Sequence, residues 1–422
     1  MSENSNAEEF NADELEPPQW LNASYLETIL STYENAPELK VTDLKISPAS
    51  AQGDHYASVM FRTTVEYTTG KGTFNKPLIV KTMPEQEGHK KDMLSDSHLF
   101  DTEIGMYSKV LPEFERILKQ AGDDTKLYAA CIFHSMEPRQ VMIFEDLVPQ
   151  GYIVVRGRPI RDEEVCASLS KLAKWNAVSM KVINEKPDFI KEFKYGLFDL
   201  PTLMSDPMVT TGMGNFIAML DQVPDLKKYK PHFDKIKDNY LDRTRAVMTE
   251  YRTDPKSDES YVLIHGDFHL RNMMFRHNKE TGAFEDVMLV DFQICNLAPI
   301  SVDLIYSIYM LMEPEQRWDH GEKLINFYIT VLVDTLKKIG YKGTMPTQEK
   351  IWQQIHRHKI YEFFLLTTFL PMMLAVKSNT LKIVDIIQDP KTRQKAYLMD
   401  SYVEEARKLL PLFEKMGYFK DL

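Results

Sequence analysis

A chain of 422 residues with 43% hydrophobic side chains is long enough to fill two cores that share a cleft, so disorder is not the default. The formal charge of −11, from 62 acidic and 51 basic residues spread without a dense Lys/Arg block, argues against nucleic acid as a partner. Three separated cysteines, Cys131, Cys166 and Cys295, with no Cys-x-x-Cys pair, suggest neither a disulfide framework nor a thiolate zinc site.

Residues 1–18 are acidic and polar and lack the basic start and apolar stretch of a secretory signal; they read as a disordered tail on a cytoplasmic protein. From Val59 to Tyr67 the residues alternate, with Val59, Phe61, Thr63, Val65 and Tyr67 on one side, which predicts a half-buried strand. Thr69 to Gly72 supply a turn, and Leu78-Ile79-Val80-Lys81 can pair back as a hairpin. Phe100, Ile104, Tyr107 and Leu111 recur at helical spacing and place Glu103 beside their stripe. Val141 to Phe144 is a further strand, ending in Glu145-Asp146-Leu147. Pro149 and Gly151 follow, so the first lobe is expected over 19–148 and the second over 149–422.

Beyond that boundary the periods become helical. Val165, Leu169, Leu172 and Ala173 form one stripe, and Leu324 to Ile339 and Tyr397 to Leu410 form others. The run Phe363 to Val376 is shorter than the roughly 20 residues of a spanning helix, and Pro371 interrupts it; it reads as a core helix, with no membrane insertion expected. The predicted fold class is α+β: an antiparallel N-terminal sheet with one main helix, then a larger, mainly α lobe.

Tyr261 to Phe292 carries the chemistry. It reads as strand (Tyr261 to Ile264), polar loop (His265 to Asn272), strand (Met273 to Phe275), turn (Asn278 to Gly282) and returning strand (Val287 to Val290) before Asp291. Such a hairpin predicts Asn272 and Asp291 side by side, two oxygen ligands suited to magnesium, with water and nucleotide phosphates filling the other positions. Asp267 stands five positions before Asn272, the spacing of a kinase catalytic loop, in which the Asp receives or orients a hydroxyl proton. Singly, the three fit a turn residue, a strand cap and a strand-end carboxylate; jointly they point to phosphoryl transfer. A competing reading puts His265, Asp267 and His269 on one face of a strand as ligands of zinc or manganese, but Gly266 weakens that strand.

ATP needs a cation on its phosphates. Lys81, ending an apolar strand, fits, with Glu103 as its ion-pair partner. Ser47 to Ser58 occupies the place of a phosphate-covering loop, yet holds one glycine, Gly53, and an ordinary hairpin turn explains it as well. The connection through Glu145 and Leu147 can offer backbone groups to adenine. Asp303 either caps the helix it opens or hydrogen-bonds the catalytic loop from behind. Met204, Met208, Met213, Phe216, Phe363, Phe364 and Met372 line an apolar pocket or fill the helical core.

These residues resemble the ecdysteroid kinase-like family, also described as choline-kinase-like, within the aminoglycoside phosphotransferase branch of the protein-kinase-like superfamily. The similarity runs from Pro17-Pro18-Gln19-Trp20-Leu21 through Gly53-Asp54-His55-Tyr56-Ala57-Ser58, Ile79-Val80-Lys81, Glu103 to Tyr107 and Glu145-Asp146-Leu147. It continues through His265-Gly266-Asp267 with Asn272 to Val290-Asp291-Phe292-Gln293 and Pro299 with Asp303-Leu304. The resemblance implies a bilobal kinase-like fold and phosphorylation of a hydroxylated small molecule, such as a steroid alcohol or a xenobiotic, with ATP and Mg2+ as cofactors. It implies Asp267 as base, Asn272 and Asp291 as metal ligands, Lys81 on phosphate and Glu103 holding it. Gln293, where protein kinases have the last residue of Asp-Phe-Gly, argues against a protein substrate. A choline- or aminoglycoside-type kinase and a non-catalytic ligand-binding protein stay open. Family members often carry an aromatic residue in place of His269 and His-Ala in place of Asn176-Ala177; both positions are expected to stand away from the reacting groups.

Overall fold

The computed structural model of the chain describes residues 15–49, 58–84, 97–378 and 380–422. Most of the expected tail and the Gly53 loop therefore lie outside the described residues. Two compact units emerge. The first takes residues up to Pro112 with Lys126–Ile153 and Met274–Gln293; the second takes Glu113–Thr125, Val154–Met273 and Ile294–Leu422. A single cut at 148 does not express this division, because each unit borrows a segment from the other side of it.

The strands among the described residues are β1 (Lys40–Pro48), β2 (Val59–Thr69), β3 (Gly72–Thr82), β4 (Cys131–Ser135), β5 (Val141–Glu145), β6 (Tyr152–Ile153), β7 (Tyr261–Ile264), β8 (Met273–His277), β9 (Phe284–Leu289) and β10 (Asn296–Pro299). In the first unit, β1-β2-β3-β5-β4 form one sheet, each neighbouring pair antiparallel. The predicted alternation of β2 holds: Val59, Phe61, Thr63, Val65 and Tyr67 are buried. Phe61 and Val65 join Leu78, Val80, Val141 and Ile143 in a core covered by Leu26, Ile29 and Leu30 of the helix Ala23–Tyr33.

The helix Leu99–Gly105 continues through a π-turn at Met106–Val110. Its inner face departs from the predicted stripe, since Ile104 is only half-buried while Glu103 is inside. A carboxylate tolerates that position because a cation meets it there, as described below.

The predicted hairpin is also present in this unit, as the β6-β8-β9 sheet. Asn278 closes the turn, its Oδ1 accepting from the N–H groups of Glu280 and Thr281, both at 3.0 Å. Asn272 immediately precedes β8, and Asp291 follows β9 by two positions.

The second unit is mostly helical around the antiparallel β7–β10 ribbon. Trp175 and Ser179, one turn apart on the helix Asp162–Glu185, bond to the carbonyl and the N–H of Leu263 and so hold β7. Asn176 on the same helix donates to the Tyr328 hydroxyl at 2.7 Å in the interior, a structural contact.

Two predicted helices are interrupted. Phe363 to Val376 divides into Lys359–Thr367 and Phe369–Lys377, bent by 42°. The break falls at Thr368; Pro371 sits in the first turn of the second helix, where its missing N–H costs nothing. Tyr397 to Leu410 likewise divides into Pro390–Tyr397 and Asp400–Lys415. The breaks serve each other: Tyr397 and Tyr402 donate to the Thr367 and Leu366 carbonyls, both at 2.6 Å, satisfying acceptors that the bend would strand. Among the described residues no single helix is long and apolar enough to cross a membrane, and residues 360–368 of the bent pair are buried in this unit.

Candidate active site

In the first unit, β3 carries Lys81 inward at its last turn of pleat, its side chain 5% exposed. The ammonium donates to Glu103 Oε2 at 2.5 Å and to Asp291 Oδ1 at 2.9 Å. Burial works against the Lys81 charge, but Asp291 and Glu103 outweigh it and raise its pKa above the ordinary lysine value. Glu103 is pushed up to about 7 by burial, with Asp291 adding repulsion and Lys81 offsetting only part. Two carboxylates therefore share one cation. The surplus negative charge and the hard oxygen donors of Asp291 suit a divalent cation such as magnesium.

Asp291 has φ +66°, a left-handed conformation that Asp tolerates better than most residues, and it turns the chain sharply after β9. Phe292 behind it is buried and meets the Tyr107 ring edge-on at 5.3 Å, and Tyr107 also packs on Phe144. Gln293 Nε2 lies 3.4 Å from Asp291 Oδ2.

The Glu145–Leu147 connection is pinned by an ion pair that sequence reading missed. Arg62 Nε donates to Asp146 Oδ2 at 2.6 Å, while Asp146 Oδ1 accepts from the Val148 N–H at 3.0 Å. The Glu145 N–H is spent on the Ala130 carbonyl and the Leu147 carbonyl on Gln150 and Tyr152. Arg62 sits on the polar face of β2, and nothing in the local pattern marks it.

In the second unit, Gly266 has φ +83°, and a Cβ there would stand 2.6 Å from the Ile294 carbonyl oxygen, so the loop needs glycine. The two readings of Asp303 are resolved in favour of the loop. Its carboxylate accepts the N–H groups of His265 at 2.7 Å and Gly266 at 2.9 Å. The His265 ring is fully buried between Trp175 and Phe268. With Gly266 turned and His265 inside, the shared strand face required by the zinc reading is not formed. Among the described residues no group of three His, Cys, Asp or Glu side chains gathers as a metal cage.

Asp267 is the focus of this loop. Asn272 Nδ2 donates both to its Oδ2 at 3.0 Å and to its backbone carbonyl at 3.1 Å. A carboxylate only accepts, so the amide nitrogen must face Asp267 and the Asn272 oxygen is left for a cation. Tyr306 donates its hydroxyl to Asp267 Oδ1 at 2.5 Å. His269 Nε2 stands 3.3 Å from the same oxygen, contrary to the expectation that this position lies away from the reacting groups. The cause is the short helical turn Leu270–Asn272, which His269 caps and which folds its ring back over the loop. Burial alone would raise the Asp267 pKa, but His269 and then Tyr306 outweigh it and hold the carboxyl well below the ordinary range. Sequence reading missed Tyr306, although it follows Asp303 by three positions and so shares its helix face.

Of the proposed apolar pocket, Met208, Met213, Phe216, Phe363 and Phe364 are buried core, while Met204 and Met372 are half-buried. A cavity of about 320 Å³ in the helical unit is lined by Arg116, Lys181, Lys186 and Lys338 beside apolar residues. Three helices end there, at Gln120, Glu185 and Lys338, so the cations face helix C-termini, an arrangement that stabilises the helices and calls for no ligand. It contains none of the site residues.

The sequence model of the ecdysteroid kinase-like family matches residues 52–341. A crystal structure titled aminoglycoside-3'-phosphotransferase of type VIII is similar over 79% of this chain and 97% of that chain, at 14% identity and a TM-score of 0.32. No curated protein matches the chain.

Proposed function

The chain belongs to the ecdysteroid kinase-like family, and from that premise we propose that it transfers the γ-phosphoryl group of ATP to a hydroxyl of a small molecule. The observation that carries this reading is Lys81, a buried ammonium kept charged and immobile between Glu103 and Asp291. An ammonium so fixed costs little reorganisation when a phosphate arrives. Lys81 would bind phosphate oxygens and Glu103 holds Lys81; in the first unit Asp291, and in the second the Asn272 oxygen that Asp267 does not engage, would each serve as a magnesium ligand. Bound magnesium supplies charge neutralisation on the phosphates. The backbone near Glu145 and Leu147 is the proposed adenine contact.

Asp267 orients the acceptor hydroxyl. Because its pKa is held low, it stays ionised at neutral pH and is a weak base. That suits a loose phosphoryl-transfer transition state, in which the acceptor proton is lost late and catalysis rests on positioning. The acceptor we propose is an apolar alcohol of steroid or xenobiotic type, a reading supported by family membership.

The test has two stages. Thermal stabilisation by ATP is expected to require magnesium, and a panel of hydroxylated compounds is expected to include one that takes up phosphate. Asp267→Asn should abolish turnover and leave nucleotide affinity nearly intact, whereas Asp291→Asn should weaken magnesium-dependent binding. Full turnover by Asp267→Asn sinks the assignment; nucleotide binding with no turnover on any acceptor favours a ligand-binding protein.

A further inference from the structure

The carboxylate of Asp267 is engaged from one side by two groups that the phosphotransfer reading does not require. An ionised carboxylate offers about four lone-pair directions. On Oδ1 two are taken, by the Tyr306 hydroxyl at 2.5 Å and by His269 Nε2 at 3.3 Å. On Oδ2 one is taken, by Asn272 Nδ2 at 3.0 Å. The geometry also sets the His269 tautomer. Its Nδ1 accepts the Arg271 N–H at 3.0 Å, so the proton of the neutral ring sits on Nε2, facing Asp267.

We propose that Tyr306 and His269 are positioning residues that lock Asp267 Oδ1, so that the acceptor hydroxyl docks on the remaining lone pair of Oδ2, on the Asn272 side. The proposal rests on the phosphotransferase reading. Its structural logic lies in one helix face. Asp303 and Tyr306, one turn apart on the helix Ser301–Met310, fix the loop twice: Asp303 takes the main-chain donors of His265 and Gly266, and Tyr306 takes the side chain of Asp267. Tyr306 is 3% exposed, so water scarcely competes for its hydroxyl. A carboxylate held by a single donor swings about its Cα–Cβ bond; one held on both oxygens presents a single free direction, which is the economy of positioning.

A bland reading makes Tyr306 a buried hydroxyl that merely needs an acceptor. Steady-state ADP release from magnesium-ATP separates the two, with water and the hydroxylated panel as acceptors. Tyr306→Phe is expected to lower kcat about tenfold, the worth of one charge-assisted hydrogen bond, with KM for ATP within about twofold. His269→Phe should act in the same direction, and His269→Gln, which restores a donor, should recover most of the loss. Tyr306→Phe and His269→Phe combined should not cost the simple sum of the two, because both act on the same carboxylate oxygen. Tyr306→Phe and His269→Phe losses that add in full, or a Tyr306→Phe variant within twofold of the parent, overturn the proposal. If Tyr306→Phe fails to fold, the His269 pair decides: a Gln no better than Phe refutes the clamp. Wild-type turnover by Asp267→Asn, or none by the parent on any acceptor, removes the phosphotransferase reading as well; an inactive Asp267→Asn beside fully active Tyr306 and His269 variants removes the clamp alone.

Discussion

Glu362→Gln should make the helical unit more stable at pH 8 and change it by less than about 1 kcal/mol at pH 5. Glu362 is 5% exposed, and its carboxylate accepts the hydroxyls of Tyr309 at 3.2 Å and Tyr418 at 2.6 Å. Burial pushes its pKa up from 4.5 to about 7, and the two tyrosines offset only part of that. The folded state thus holds this proton more tightly than the unfolded chain. The group's contribution to stability is complete below the unfolded pKa and is lost as pH rises through the folded one. At about 1.4 kcal/mol per unit, the shift amounts to about 3 kcal/mol lost between pH 4.5 and 7. Glutamine mimics the protonated acid, with one acceptor and a donor, and removes the loss. Glu103 and Asp303, both also raised to about 7, tilt the parent the same way, and subtracting the variant curve cancels them. Glu250 and Asp267 are held below their ordinary values, so their contributions are already complete at pH 5. Urea denaturation at half-unit steps from pH 5 to 8 measures the difference. Parallel curves, or a variant less stable than the parent at pH 8, would refute the reasoning.

Lys81→Met removes the cation that Glu103 and Asp291 share, and magnesium-ATP affinity measured by calorimetry should fall at least about tenfold. Its stability cost should stay below the roughly 3–5 kcal/mol of a broken buried pair, because Glu103 can take up a proton instead. Asp303→Ala strands two buried N–H donors, at roughly 1–3 kcal/mol each, and chemical denaturation should show a loss of that size together with reduced turnover. Gly266→Ala brings a methyl against the Ile294 carbonyl at a left-handed φ; a variant with parental melting temperature and turnover would show that the loop does not depend on glycine there.

Much of this arrangement is legible locally. The buried face of β2 follows from alternation alone, and the β8–β9 turn from Asn278 and Gly282, because a strand or a tight turn is specified by residues within a few positions of one another. The five-residue step from Asp267 to Asn272 carries its meaning within the loop for the same reason. Glu103 marks the limit: helical spacing places it beside the stripe, but its turn inward depends on Lys81, a partner 22 positions away. Arg62 on Asp146, Tyr306 on Asp267, and the tyrosines that bridge the helix breaks lie beyond that limit. A buried polar group takes whichever partner the packing brings to it, and that choice is made by surfaces meeting in three dimensions, which no short period along the chain records.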